Sequence, residues 1–440
     1  MGQETKKIGL WISTSLVIGN MIGAGVFLMP AALAAYGGIS IFGWLFSAIG
    51  ALLLAAIFSN LSKLVRDKNG GPYVYTKEGL GDFAGFLVAW GYWISTWVAN
   101  AAITIAFISA LTVFVPILET NAVYAVLLGL CTIWFLTWVN SKGVRESGNM
   151  QVITTFLKLI PLVLVIISGI FFFNIDNFIP FNPSKETNMG AIAITATMTL
   201  YAFLGVESAT VPAGNVENPE KTIPKATLLG TIITTLVYVL STVVVMGMIP
   251  SDMLSKSPAP FADAMDIIAG EWGRGLVAAG AAIAAFGALN GWILIQGQIA
   301  MATAKDDLFP RIFRRENKKG VPALGMIIGS VLTSILMLMN YSDGLVEQFK
   351  FIILLSTLTA LIPYLFTTAA YVLILVERKL PNMKWLPKIT LAGLAFIYSL
   401  WAIYGAGEKA VYWGLLLLLA GIPFYVWMKF RNKAKTIHHK

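Results

Sequence analysis

Long apolar runs separated by short polar segments fill nearly the whole chain, from Ile8 to Trp427, with no soluble interval between them. About twelve runs stand out: 8–34, 39–62, 82–115, 122–140, 150–173, 189–213, 225–248, 271–303, 322–340, 350–376, 387–405 and 411–429. Each is close to or beyond the roughly 20 mostly apolar residues that carry a helix across a bilayer. No run alternates as a barrel strand does. Backbone amides in lipid must find their partners within their own segment, so the pattern predicts an all-α integral membrane bundle of about twelve spans. The first run follows Lys6 and Lys7 as the core of a signal peptide would, but it runs past 20 residues without a small-residue cleavage site and further spans follow, so it reads as a retained helix. One membrane domain covering 1–440 is expected.

Composition sharpens this picture. Of the chain, 57% is hydrophobic and 12% charged, about half the roughly 25% charge of an average soluble domain, so the excess apolar surface needs lipid. The net charge of +9 raises the question of nucleic acid, and the placement of the charges answers it. With the N-terminus inside, 25 of the 31 Lys and Arg residues fall in inner segments and five fall outside: Lys185, Lys256, Arg274, Lys350 and Lys409. That asymmetry puts both termini in the cytoplasm and pairs the basic segments with lipid headgroups rather than nucleic acid. Cys131 is the single cysteine, and His438 and His439 are the two histidines, at the far end, which argues against a disulfide, a metal site or thiol chemistry. No cofactor is expected. No phosphate-binding Gly-Lys-Ser/Thr loop occurs, so the chain is not by itself an ATP-driven pump.

Two runs are interrupted. The first holds Ile18-Gly19-Asn20-Met21-Ile22-Gly23-Ala24-Gly25-Val26-Phe27, and the sixth holds Tyr201-Ala202-Phe203-Leu204-Gly205-Val206-Glu207-Ser208-Ala209. Small residues spaced by four also serve close helix packing. A matched pair in spans one and six points further, to inverted repeats whose broken helices face each other across a substrate site. Unwound backbone offers amides at half-helix N-termini and carbonyls at C-terminal ends. A zwitterion could set its carboxylate on the amides near Ala24 to Val26 and its ammonium on carbonyls near Ile22 and from Tyr201 to Leu204.

At these residues the sequence resembles the amino acid, polyamine and organocation transporter superfamily, most closely its bacterial arginine-agmatine and putrescine-ornithine antiporters. The resemblance runs nearly end to end and is also carried by Asn218-Pro219-Glu220-Lys221 with Pro224, and by Asp306-Asp307-Leu308-Phe309-Pro310. It implies a LeuT-like fold of two inverted five-helix repeats, about 8–173 and 189–376, with peripheral helices at about 387–429. It also implies alternating access, an amino acid or polyamine as cargo, a homodimer and the bacterial cytoplasmic membrane as location. Mapped residue by residue, the family's substrate pocket falls on Asn20 and Ala24 in span one, beside the break's backbone candidates Ile22, Gly23 and Gly25, and on Tyr92, Ser95, Thr96, Asn100 and Ile103 in span three. It continues on Tyr201 and Leu204 in span six, Trp292 in span eight, and Ser356 and Tyr364 in span ten. Ala24 stands where the arginine-agmatine antiporter carries serine, and Tyr201 where it carries tryptophan.

Two ionisable residues lie inside spans, where a charge costs roughly 2.5 to 3.5 kcal/mol mid-bilayer. Glu207 follows the sixth-run break and is expected either to pin it by hydrogen bonds or to take up a proton during the cycle. Lys158 lies about halfway along span five; the arginine-agmatine antiporter has no lysine there, whereas other superfamily members do. By that resemblance its ammonium would contact carbonyls near Gly19 and Ile22 and its proton could be the coupling ion; a permanently charged brace is the alternative. Two transport readings follow, an exchanger of basic amino acids or polyamines and, second, a proton-coupled symporter of neutral or broad-range amino acids. An integral-membrane enzyme is a distant third, since no core histidine or thiol pair supplies a catalytic base or nucleophile.

Overall fold

Leu, Ile, Val and Ala dominate the runs, and in a computed structural model of the chain the described residues of these runs fold as helices, with no strand among them. The described residues are 9–23, 25–65, 71–143, 148–206, 216–340, 344–378 and 385–438. In chain order the helices are α1 (Leu10–Met21), α2 (Gly25–Ala34), α3 (Ser40–Leu64), α4 (Pro72–Leu80), α5 (Asp82–Leu111), α6 (Ile117–Thr120), α7 (Ala122–Ser141) and α8 (Gly148–Gly169). They continue with α9 (Asn188–Leu200), α10 (Pro219–Met248), α11 (Ser251–Leu254), α12 (Pro260–Lys305), α13 (Ala323–Met339), α14 (Leu345–Arg378), α15 (Trp385–Gly405), α16 (Gly407–Leu419) and α17 (Gly421–His438).

Among the described residues eight helical segments are long and apolar enough to cross a membrane, and the bent pair α1 and α2, taken as one span, makes a ninth. Three further apolar helical segments, Lys158–Phe172, Asn188–Phe203 and Ala323–Met339, are shorter and lie on the fifth, sixth and ninth runs. The helix starts are written in local chemistry. Asn121 accepts the amides of Val123 and Tyr124 at the start of α7, Thr187 accepts that of Gly190 at the start of α9, and proline opens α4, α10 and α12, where its missing N–H costs nothing. Gly270, with φ of 64°, kinks α12 one residue before the apolar run that begins at 271.

Burial separates the middle of the bundle from its edge. The most apolar window of α5 is 89% buried, and α5 packs chiefly on α12 and α14. The span formed by α16 and the first half of α17 is only 22% buried and α15 28%, so these helices present most of their surface to lipid. A helix buried on all sides at the centre of a bundle is where a transported molecule would meet the protein, and the breaks lie beside it.

Candidate functional site

The first break follows from the hydrogen bonds that the chain gives up. The amide of Ile22 still reaches the Ile18 carbonyl at 2.7 Å, but that of Gly23 turns to the Met21 carbonyl at 2.8 Å instead of the Gly19 carbonyl that a continued helix would offer it. The axis bends by 45° between α1 and α2. Gly19 is left with a carbonyl that has lost its helical donor, deep in the bundle. The ammonium of Lys158, itself 6% exposed, donates to that carbonyl at 3.1 Å. A second bond from the same helix, from Thr155 Oγ1 to the Ser15 carbonyl at 3.2 Å, seats α8 against α1.

The sixth run breaks differently. Its helix α9 tightens into a 3-10 turn at Tyr201–Phe203, Leu204 leaves helical geometry, and Gly205 takes φ of 98°, a conformation that side-chain-bearing residues rarely adopt. A β-carbon at Gly205 would stand 3.4 Å from the Asn20 carbonyl, so the two breaks lie within a side chain's reach of each other. Glu207 and Ala24, both singled out in the sequence, lie outside the described residues.

Between the breaks and α5 lies a narrow cavity. Of the residues expected from the sequence, Asn20, Gly23, Gly25, Tyr92, Ser95, Ile103, Tyr201, Leu204 and Trp292 line it. Tyr201 packs against the first break. A β-carbon at Gly25 would fall 2.5 Å from Tyr201 Cε1, so the ring lies where only glycine leaves room. The Tyr201 hydroxyl donates to the Ala99 carbonyl on α5 at 3.3 Å, and the ring meets Phe349 of α14 edge-on at 6.2 Å.

Five expected residues sit beside the cavity rather than in its wall. Ile22 is fully buried. Thr96 donates to the Trp93 carbonyl, Ser356 donates to the Ser95 carbonyl at 3.1 Å, and Tyr364 packs edge-on against Phe58. Asn100 donates to Gln296 Oε1 at 2.8 Å, and Gln296 in turn donates to the Met326 carbonyl and to Ser330, so this amide ties α5 to α12 and α13.

The structure adds Met21, Val26, Ala99, Ala202 and Ala360 to the lining. Ala99 was within reach of the sequence, because Ser95, Ala99 and Ile103 follow one another by four along one helical face. Met21, Val26 and Ala202 sit inside the interrupted motifs, and Ala360 carries no sequence signal at all.

Among the described lining residues there is no Asp, Glu, Lys, Arg or His. The cavity instead offers backbone at the two breaks, the Asn20 amide, the Ser95 hydroxyl and the rings of Tyr92, Tyr201 and Trp292. Such a site suits a small molecule that brings its own charges, with carbonyls and ring faces for an ammonium and amides for a carboxylate.

Comparison with known proteins gives the same direction. The sequence pattern of the amino acid permease family matches residues 8–422. The chain is 33% identical to the putrescine transporter of Haemophilus influenzae over 99% of its own length and 100% of that protein. It is 33% identical to the cadaverine/lysine antiporter of Escherichia coli, over 96% of this chain and 95% of the relative, and 31% identical to the arginine/agmatine antiporter of Chlamydia pneumoniae, over 100% and 93%. The chain belongs to the amino acid permease family and is an integral membrane transporter, not an enzyme.

Proposed function

We propose that this protein exchanges basic amino acids or polyamines across the bacterial cytoplasmic membrane by alternating access. The observation that carries this reading is the close approach of the two helix breaks at a central cavity whose described lining has no charged side chain. Nine long spans and three shorter apolar helices lying on the remaining runs support a twelve-span count, with inverted repeats at about 8–173 and 189–376 and two peripheral helices. The 25-to-five bias of basic residues supports cytoplasmic termini. The relatives' cargoes, putrescine, cadaverine, lysine, arginine and agmatine, are all cationic. For such a cargo each ring face in the cavity is worth about 0.5 to 2 kcal/mol as a cation partner, and the carbonyls freed at the breaks add directional acceptors.

The test is uptake of radiolabelled arginine into proteoliposomes loaded with arginine, agmatine or putrescine, or left empty. The exchanger reading expects uptake only into loaded vesicles, with no response to a proton gradient. Uptake into empty vesicles driven by an inward proton gradient and blocked by leucine or alanine overturns it.

One observation favours that second outcome. Lys158 holds a carbonyl of the first break directly, at 3.1 Å, from a buried position. If its ammonium loses a proton during the cycle, the break loses the donor that fixes Gly19, and transport becomes proton-linked. In this reading Glu207, next to the sixth break, is the second proton-binding group.

A further inference from the structure

The buried hydroxyls of α5 close back on their own helix, with one exception. Ser95, Thr96 and Thr104 donate to the carbonyls of Tyr92, Trp93 and Asn100, each at 2.7 Å, and Thr112, just past the helix, donates to that of Ser109. Ser109 is 1% exposed, and its own hydroxyl has no hydrogen-bond partner among the described residues. It lines a second, smaller cavity, together with Ala106, with Phe27 of α2, and with Phe261 and Ala278 from the two arms of α12 on either side of the Gly270 kink. The Phe27 and Phe261 rings meet edge-on at 5.6 Å. Asp263 accepts from Ser257 and pairs with Arg274 at 3.2 Å, which ties the two arms together.

This cavity continues the face of α5 that lines the first. Ser95, Ala99 and Ile103 belong to the central cavity, and Ala106, Ser109 and Ala110 follow at helical spacing. Seven residues separate Ala99 from Ala106, about 10 Å along the axis. In α2, likewise, Gly25 and Val26 belong to the first wall and Phe27 and Leu28 to the second. In the orientation read from the charge bias, this end of α5 is the outer one.

Resting on the exchanger reading above, we propose that the second cavity is an outer subsite for the cargo's cationic group, occupied between the outside solution and the central cavity. An ammonium in this apolar stretch has lost its water, and two phenylalanine rings with a free hydroxyl oxygen replace part of it. The chemistry is that of the central cavity in kind: rings and a serine hydroxyl, with no charged side chain among the described lining residues. A serine that served packing alone would close on the carbonyl of Ile105 or Ala106 as its neighbours on α5 close on theirs, because an unmade buried hydrogen bond is costly.

The first test compares Ser109→Ala with Thr242→Val, which removes another buried hydroxyl without a described partner, on α10 and in neither cavity wall. Arginine exchange in loaded proteoliposomes gives KM and the maximal rate. For Ser109→Ala KM should rise about fivefold, the scale of one net hydrogen bond, with the maximal rate within about twofold. Its melting temperature should equal or exceed that of wild type, because an unsatisfied buried hydroxyl has been removed. Thr242→Val should match wild type in exchange. An unchanged KM for Ser109→Ala overturns the proposal, as does a fall in its melting temperature, which would make the hydroxyl a structural one.

The second test needs no transport. Ala106→Cys, in a Cys131→Ser background that removes the exposed native thiol, places a thiol in the cavity wall with Ser109. Purified protein is reacted with the cationic aminoethyl and the neutral methyl methanethiosulfonate, each rate divided by that with a free thiol in solution. The cationic reagent should react at least as fast as the neutral one, and adding Ser109→Ala should lower that ratio about fivefold. A preference for the neutral reagent that Ser109→Ala leaves unchanged overturns the subsite. If wild-type vesicles exchange no basic substrate, the exchanger reading fails, while this ratio still decides whether the cavity takes an ammonium.

Discussion

The first break presents backbone to the cavity, whereas the sixth presents a ring. At the first, glycines and a turned amide leave carbonyls without their helical donors, and buried groups from two other helices, Lys158 and Tyr238, take up part of that deficit. At the sixth, Gly205 turns the chain and Tyr201 reaches across onto Gly25 and up to the Ala99 carbonyl. An unsatisfied carbonyl in a low-dielectric interior is costly, so break one needs outside donors merely to exist, and the ones that it recruits constrain what it can bind. A ring resting on glycine has no such debt. It is held by shape and one weak hydrogen bond.

The sharpest way to break this comparison is at Lys158. Lys158→Ala removes the donor on Gly19, and the expected outcome is loss of arginine exchange in loaded vesicles to the level of protein-free vesicles, with folding intact by size-exclusion chromatography. Wild-type exchange in that variant would show that the first break works without this donor.

Next comes the seat of the ring. Gly25→Leu places side-chain atoms where Tyr201 lies, and overpacking of this kind costs about 1 to 3 kcal/mol. Arginine exchange should fall about tenfold or more, since about 1.4 kcal/mol is a factor of ten. Undiminished exchange would show that the ring does not close against Gly25 in the transport cycle.

A smaller change probes the ring's polar end. Tyr201→Phe keeps the ring and loses only the 3.3 Å bond to the Ala99 carbonyl, so KM should shift by about twofold, measured in the same exchange assay. A change as large as that of Gly25→Leu would mean that the hydroxyl, and not the ring, holds the gate.

The smallest effect lies away from both breaks. Lys429 donates to Asp82 at 2.6 Å with Lys77 close by, and the hydrogen bond from Lys429 holds the Asp82 carboxyl below its usual range. A depressed carboxylate stabilises the fold above its unfolded pKa of about 4 and loses that contribution as pH falls through its folded value. Both side chains are more than two-fifths exposed, so screening keeps the contribution under about 1 kcal/mol. Asp82→Asn should lower the melting temperature slightly at pH 7 and not at all at pH 3, with exchange kinetics unchanged at pH 7.

Much of this site was legible before any coordinates. Gly19, Asn20, Gly23, Gly25 and Gly205 stand out in a membrane run because glycine and amide positions at that depth have few uses, and the structure puts Asn20, Gly23 and Gly25 in the cavity wall with Gly205 near Asn20. Lys158 stands out for the same reason, since a charge mid-span must find a partner. Tyr238 did not, because a tyrosine in an apolar run reads as packing, and only the tertiary placement of α10 against α1 shows what its hydroxyl meets. Asn100 and Ser356 show the reverse limit: their polarity marks them as site candidates, but they are occupied by Gln296 and by the Ser95 carbonyl.

The sequence by itself determined the solvent of this protein, its helical class and the two places where its helices fail, because these follow from local hydrophobicity and from backbone groups that must be satisfied within a segment. Tertiary structure alone decided which buried side chains reach the carbonyls of the first break, which ring lies against Gly25 and which polar side chains are already occupied. Those outcomes depend on distances between helices far apart in the chain, and a residue's type does not encode its distant neighbour.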